Sequence, residues 1–117
     1  MDLSDIYIVD EVKEVILPYR TKDGKDVEIS IKVKPISWSR KNQILTKCFT
    51  YNQDGTIKFN FDRYTKDMLS EMIAEAPWGK TDEVFLNNIK PEFGSKLEKL
   101  VPKAFEELEN PNFFVKE

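Results

Sequence analysis

The chain contains no histidine, a single cysteine (Cys48) and four scattered glycines. It therefore lacks the commonest general base, the commonest zinc ligand and the imidazole of serine and cysteine proteases. One cysteine excludes an intramolecular disulfide, and with no histidine beside it a tetrahedral zinc site is not expected. The glycines, at positions 24, 55, 79 and 94, form no phosphate-binding loop. We expect a protein that is not an enzyme, has no cofactor or metal, and buries its cysteine.

The formal net charge is −3, and neither half of the chain has the basic excess typical of nucleic-acid-binding proteins. The first residues lack the basic and apolar regions of a signal peptide. No apolar run is long enough to cross a membrane, and a lone cysteine suits a reducing compartment. These features predict a soluble cytoplasmic protein with neither nucleic-acid nor membrane partners, in a single domain over 1–117.

An antiparallel β-hairpin is predicted over residues 12–35. Apolar residues alternate with polar ones in two runs, as on strands with one buried face, and they are Val15, Leu17 and Tyr19, then Val27, Ile29, Ile31 and Val33. Asp23 and Gly24 supply the positive-φ positions of the turn. Pro18 cannot donate a hydrogen bond, so its strand is expected at a sheet edge or with a bulge. Residues 1–11 are either frayed or add a short strand to this edge.

Short helices are predicted for most of the helical part, 37–109, and a tail, 110–117, ends the chain. The fold class is therefore α+β, a hairpin followed by a small bundle of four to five short α-helices. Apolar spacing, caps and prolines place the helices at 38–50 after Ser37, 62–76 with Asp62 as N-cap, from Lys80 or Thr81 to Asn88, 91–102 and 104–109. Ile57, Phe59 and Phe61 alternate with polar residues, as in a short strand or an extended arm.

Basic and aromatic residues interleave in segment 32–41, which contains Trp38. On a nucleic-acid surface, the lysines would contact phosphates and Trp38 would stack on a base. We favour the alternative, in which the segment is a strand edge followed by the polar face of a helix, with Trp38 in the core.

Five residues are candidates for binding a protein partner. Met68 and Met72 lie on the apolar stripe of the helix at 62–76, and thioethers adapt to varied partners, although such a stripe more often forms a core. Trp78 follows a proline in a turn, where it either fills a gap in the core or anchors a partner. Phe113 and Phe114 either dock on their own domain or form an exposed apolar patch that marks a binding site.

Several strand and helix motifs follow one another in a recognisable order. The strands read Val15-Ile-Leu-Pro and Val27-Glu-Ile-Ser-Ile-Lys-Val-Lys-Pro-Ile-Ser37, and a helix and the loop Asn52-Gln-Asp-Gly55 come next. The following helix reads Phe61-Asp-Arg-Tyr-Thr-Lys-Asp-Met-Leu and ends in Met72-Ile-Ala-Glu-Ala-Pro77. In this order the chain resembles the tail assembly chaperones of phages and proviruses over roughly residues 12–102. The tail from Asn112 matches no motif of that family.

The resemblance implies a non-enzymatic protein of virion assembly that binds the tape measure protein, with the tail tube protein as a further candidate partner. It implies that the tape measure stays soluble in the host cytoplasm until the tube polymerises around it, and that the chaperone is absent from the finished virion. The alternatives are a structural tail or connector component, assembled into a ring through its hairpin edge, and a small regulatory binding module. The oligomeric state, including a homo-oligomer, stays open.

Overall fold

The computed structural model describes residues 1–105. After a 3-10 turn (Leu3–Asp5), its elements in chain order are β1 (Lys13–Arg20), β2 (Asp26–Val33), α1 (Trp38–Thr46), β3 (Phe49–Tyr51), β4 (Ile57–Phe59), α2 (Phe61–Met72), β5 (Ile73–Glu75), α3 (Glu83–Asn87) and α4 (Pro91–Glu98). An antiparallel hairpin followed by short helices confirms the predicted α+β class. The turn predicted at 104–109 extends beyond the described residues, and the tail at 110–117 lies outside them.

The predicted hairpin of β1 and β2 is present, but Asp23 does not adopt the positive φ predicted for it, since among the described residues only glycines do so. Pairing runs without a break from Lys13 opposite Val33 to Arg20 opposite Asp26. Gly24 adopts a φ of 81° in the turn, where a residue with a Cβ atom would be strained. The buried residues of the two strands, Leu17 and Ile31, both belong to the predicted apolar face.

Strand β1 is an edge strand, as Pro18 predicts, because the sheet has the order β1-β2-β5. The amide of Thr21 donates to the Lys25 carbonyl at 2.8 Å. In an antiparallel ladder, hydrogen-bonded and non-hydrogen-bonded pairs alternate along the strands. The backbone amides and carbonyls of the odd-numbered residues of β1 therefore bond to β2, and those of the even-numbered residues point to the open edge of the sheet. Pro18 therefore leaves the hairpin intact and removes one donor from the open edge. Residues 1–11 add no strand to this edge.

Helix α2 is shorter at its end than its apolar stripe predicts. Its N-cap is Asn60, not Asp62, and the Asn60 side chain accepts a 3.0 Å hydrogen bond from the Arg63 amide. The helix ends at Met72, and Ile73 turns to an extended conformation to begin β5, which pairs antiparallel with the end of β2. Pairing with an existing strand, together with the β-branched side chain of buried Ile73, overrides the helical period.

Helix α1 also ends before the predicted position, at Thr46 instead of residue 50. The next residues form β3, which pairs with β4 in a two-stranded hairpin. Phe49 and Phe59 are opposite each other in this hairpin, with ring centroids 5.2 Å apart. A strand at Ile57 and Phe59 is the first of the two predicted alternatives, but Phe61 begins α2 and is not part of it. Pairing of β3 with β4 explains why α1 stops early.

Two groups of buried side chains lie on either side of α2. The first joins the main sheet to α2, α3 and α4 and contains Leu17, Ile31, Leu69, Ile73, Leu86, Phe93 and Leu97. The second joins α1 to α2 and contains Ile44, Cys48, Tyr64, Met68 and Met72. Helix α2 is therefore the central element of the described structure. No helix within residues 1–105 is both long and apolar enough to span a membrane.

Candidate functional site: a groove between two helices

The two methionines proposed for partner binding are core residues in this structure. Met68 is 0% exposed and Met72 is 7% exposed, and both pack with Ile44, Cys48 and Tyr64. The apolar stripe of α2 thus forms part of the core, as such stripes more often do. A partner does not reach Met68 in this conformation. Phe113 and Phe114 lie outside the described residues.

Trp78 fills a gap in the core, which is one of its two predicted roles. Its indole ring stacks on Phe85 with centroids 4.7 Å apart and meets the ring of Phe93 edge-on. The indole Nε1 donates a 2.8 Å hydrogen bond to the hydroxyl of Thr81, which is itself buried. Because its ring and its polar atom are both engaged within the domain, the structure assigns Trp78 to the packing of α3 and α4.

Trp38 does not lie in the core, so the interpretation that we favoured for it is wrong. Its side chain is 78% exposed. Ser37 caps α1 by accepting a 3.1 Å hydrogen bond from the Arg40 amide, which makes Trp38 the first residue of the helix. The side of α1 that faces α2 carries Ile44 instead, and Cys48, four positions further on and just past the end of α1, packs in the same group.

A groove between α2 and α4 was not predicted from the sequence. It consists of two adjoining cavities of about 390 Å³ and 630 Å³. Both are lined by Phe61 and Thr65 of α2 and by Ser95 and Glu98 at α4. The apolar walls are contributed by residues from several elements, including Leu69, Leu86, Ile89, Tyr64 and Val101.

The groove is open because small residues of α4 face it. Gly94 and Ser95 line the cavity, whereas the larger Phe93 and Leu97 on the same helix are turned into the core. Pro91 begins α4 at its first position, where the absent amide proton costs no helical hydrogen bond. The helix therefore presents a small-residue side to α2 and an apolar side to the sheet.

Phe61 is the largest exposed apolar side chain of the groove. It is the first residue of α2, after the Asn60 cap, and 54% of it is exposed. One turn further along the helix, the Thr65 hydroxyl is buried and has no hydrogen-bond partner among the described residues. A buried hydroxyl left without a partner costs about 1–3 kcal/mol. The groove thus offers an exposed apolar anchor, whereas the Thr65 hydroxyl is buried away from the surface that a ligand would contact.

Tyr64 lines the larger of the two cavities. Its hydroxyl donates a 2.8 Å hydrogen bond to the backbone carbonyl of Pro102, beyond the end of α4. Burial raises the pKa of the Tyr64 phenol above its ordinary value, and the nearby Cys48 adds to the increase. The phenol therefore stays protonated and remains a donor at neutral pH.

The cysteine is buried, as expected. Cys48 is 2% exposed and its Sγ donates to the Ile44 carbonyl at 3.2 Å. Burial raises the pKa of its thiol, with a smaller contribution from the Asp67 carboxylate. No group of three or more histidine, cysteine, aspartate or glutamate residues within residues 1–105 is placed to hold a metal ion.

Comparisons with protein-family models, curated proteins and solved structures return no match for this chain. An apolar groove between two helices, lined by an exposed aromatic ring, has the shape that accepts the apolar face of an amphipathic helix.

Proposed function

We propose that this protein is a non-enzymatic binding protein that holds an amphipathic helix of a partner in the α2–α4 groove. The observation that supports it most is the half-exposed Phe61 beside apolar walls formed by Leu69 and Leu86. Fully burying a phenylalanine side chain contributes about 1.5–3 kcal/mol, so covering the exposed part of Phe61 favours binding.

The partner that we propose is the tape measure protein of a phage-like tail, which makes this protein a tail assembly chaperone. The resemblance in element order over roughly 12–102 supports this partner, and so does the hairpin-then-helices fold. A long helical protein exposes an apolar stripe before its assembly, and such stripes aggregate. A groove that covers part of the stripe and later releases it would keep the tape measure soluble in the host cytoplasm. Tail tube protein is a second candidate partner.

Co-expression with a tape measure protein, which the proposal expects to be encoded directly downstream of this chain, tests the proposal. The two variants to compare are Phe61→Asp and Val84→Asp. Val84 is 72% exposed on α3, outside the groove, so it provides a matched apolar-to-acidic control. Both changes place a carboxylate in the first turn of a helix, where the helix dipole favours it.

We expect the natural chain and Val84→Asp to keep the partner soluble and to co-purify with it, whereas Phe61→Asp loses both effects while remaining folded. Equal solubilisation by the two variants would place the binding surface elsewhere. If the natural chain leaves the partner insoluble, the proposed function is wrong.

A structural tail or connector component is the second candidate function. The open edge of β1 favours it, because an unpaired edge strand can pair with another copy in a ring. Pro18 weakens this candidate, since it removes a donor from the middle of that edge. A stable ring formed by the isolated protein would support the structural role over the chaperone role.

A further inference from the structure

We infer that the helix bound in the α2–α4 groove carries acidic residues beside its apolar stripe. The inference rests on the proposed function, because it takes the groove as the binding site, and it adds the charge that the partner must have. Its basis is the net charge of the side chains that line the groove, which is positive, whereas the net charge of the whole chain is negative.

The groove has a basic lining. Four lysines and two carboxylates line its two cavities, and they are Lys66, Lys90, Lys99 and Lys103 with Asp62 and Glu98. This set has a net charge of +2, whereas the whole chain carries −3. Lys66 and Asp62 form an ion pair with Nζ and Oδ2 2.8 Å apart, so the inference depends on Lys90 and Lys99, which lie at the two ends of α4.

The basic surface continues past the beginning of α4. A third cavity, of about 750 Å³, shares Lys90 and Pro91 with the groove and extends towards the hairpin turn. It adds Arg20, Lys22 and Lys96 with the two acids Asp26 and Glu92. Across the three cavities the lining has seven basic and four acidic side chains, a net charge of +3. A negatively charged segment would be attracted along this whole path.

The helices set the length of the segment that fits. Helix α4 has eight residues and α2 has twelve, which at 1.5 Å per residue correspond to about 12 Å and 18 Å. The occupant is therefore a helix of about two to three turns, with its apolar residues three and four positions apart. Each exposed ion pair between the peptide and a lysine beside the groove strengthens binding by about 1.4- to fivefold, so several together give about tenfold.

Three synthetic peptides test the inference against the full chain. All three have the same stripe of leucines at helical spacing. The remaining positions are all glutamate in the first peptide, all glutamine in the second and all lysine in the third. Fluorescence anisotropy at low salt is expected to show the glutamate peptide binding about tenfold more tightly than the glutamine peptide, and the lysine peptide binding most weakly. The difference is expected to shrink to about twofold or less in 0.5 M salt, where surface charges are screened.

Charge reversal in the protein supplies the second readout. The double variant Lys90→Glu/Lys99→Glu is expected to lose the preference for the glutamate peptide. Lys58→Glu, on exposed β4 and away from the three cavities, is the control and is expected to keep it. A preference that survives the double variant, or that disappears equally in the control, overturns the inference.

Phe61→Asp separates a failure of the inference from a failure of the proposed function. Equal affinity for all three peptides, abolished by Phe61→Asp, would overturn the acidic preference and leave the groove as the binding site. Binding of none of the peptides would overturn both proposals.

Discussion

The hydroxyl of Tyr64 donates its hydrogen bond to the backbone carbonyl of Pro102, at 2.8 Å and across 38 positions of sequence. This bond connects α2 to the segment that follows α4. The Tyr64 ring also meets Phe59, with centroids 5.8 Å apart, so one side chain joins the second core group to the β3–β4 hairpin. Tyr64 and Pro102 both line the larger cavity of the groove.

Replacing Tyr64 with phenylalanine removes the hydroxyl and keeps the ring. We expect Tyr64→Phe to lower the free energy of unfolding by about 1–2 kcal/mol, because the Pro102 carbonyl loses its donor in a partly buried place. Urea denaturation followed by circular dichroism measures the change. Tyr51→Phe is the control, since Tyr51 is 74% exposed, and it should stay within about 0.5 kcal/mol of the natural chain. Equal losses in both variants would contradict the role of the hydrogen bond.

Alkaline pH is expected to destabilise the protein. Burial raises the pKa of Cys48 above its ordinary 9.0 and that of Tyr64 above its ordinary 10.0. In the unfolded chain both groups lose their protons at a lower pH than in the folded chain, so stability is retained below about pH 9 and falls above it. Urea midpoints at pH 8 and pH 10 measure the fall. Cys48→Ala should show a smaller fall than the natural chain, and an identical fall would exclude the thiol as a cause.

The two tryptophans should differ sharply in their effect on stability. Trp78→Ala is expected to lower the free energy of unfolding by about 3–5 kcal/mol, because it removes the ring packed on Phe85 and Phe93. Trp38→Ala should change it by no more than about 0.5 kcal/mol, since Trp38 is 78% exposed. Urea denaturation of the two variants gives the comparison. Similar losses would mean that Trp38 is packed in solution.

Pro18 should limit self-association through the edge of β1. Pro18→Val restores an amide proton at an outward-facing position and adds a residue that favours strands, so we expect dimers or larger species. Size-exclusion chromatography with light scattering measures them. Ser30→Val is the control, because it adds the same exposed side chain to β2, opposite Ile16, and leaves the β1 edge unchanged. Association of the control to the same degree would implicate apolar surface instead of edge pairing.

The hairpin could be predicted because its determinants are local. Alternation around Leu17 and Ile31, a glycine in the turn and a proline on the edge strand act within a few residues of one another. The end of α2 could not be predicted in this way. Ile73 leaves the helix to pair with β2, forty positions earlier in the sequence, and residue periodicity carries no information about that contact.

The candidate site shows the same division more strongly. The groove forms only when α4 packs beside α2, which brings Phe61, Gly94 and Lys99 into its lining. No spacing in the sequence relates these three residues. The sequence by itself determined the α+β class, the hairpin, the buried thiol and the overall charge, since composition and short-range pattern specify these properties. Only the tertiary structure decided that Trp38 is exposed, that Met68 is core, and that basic side chains gather around an apolar groove, because packing between distant segments determines which surfaces remain uncovered.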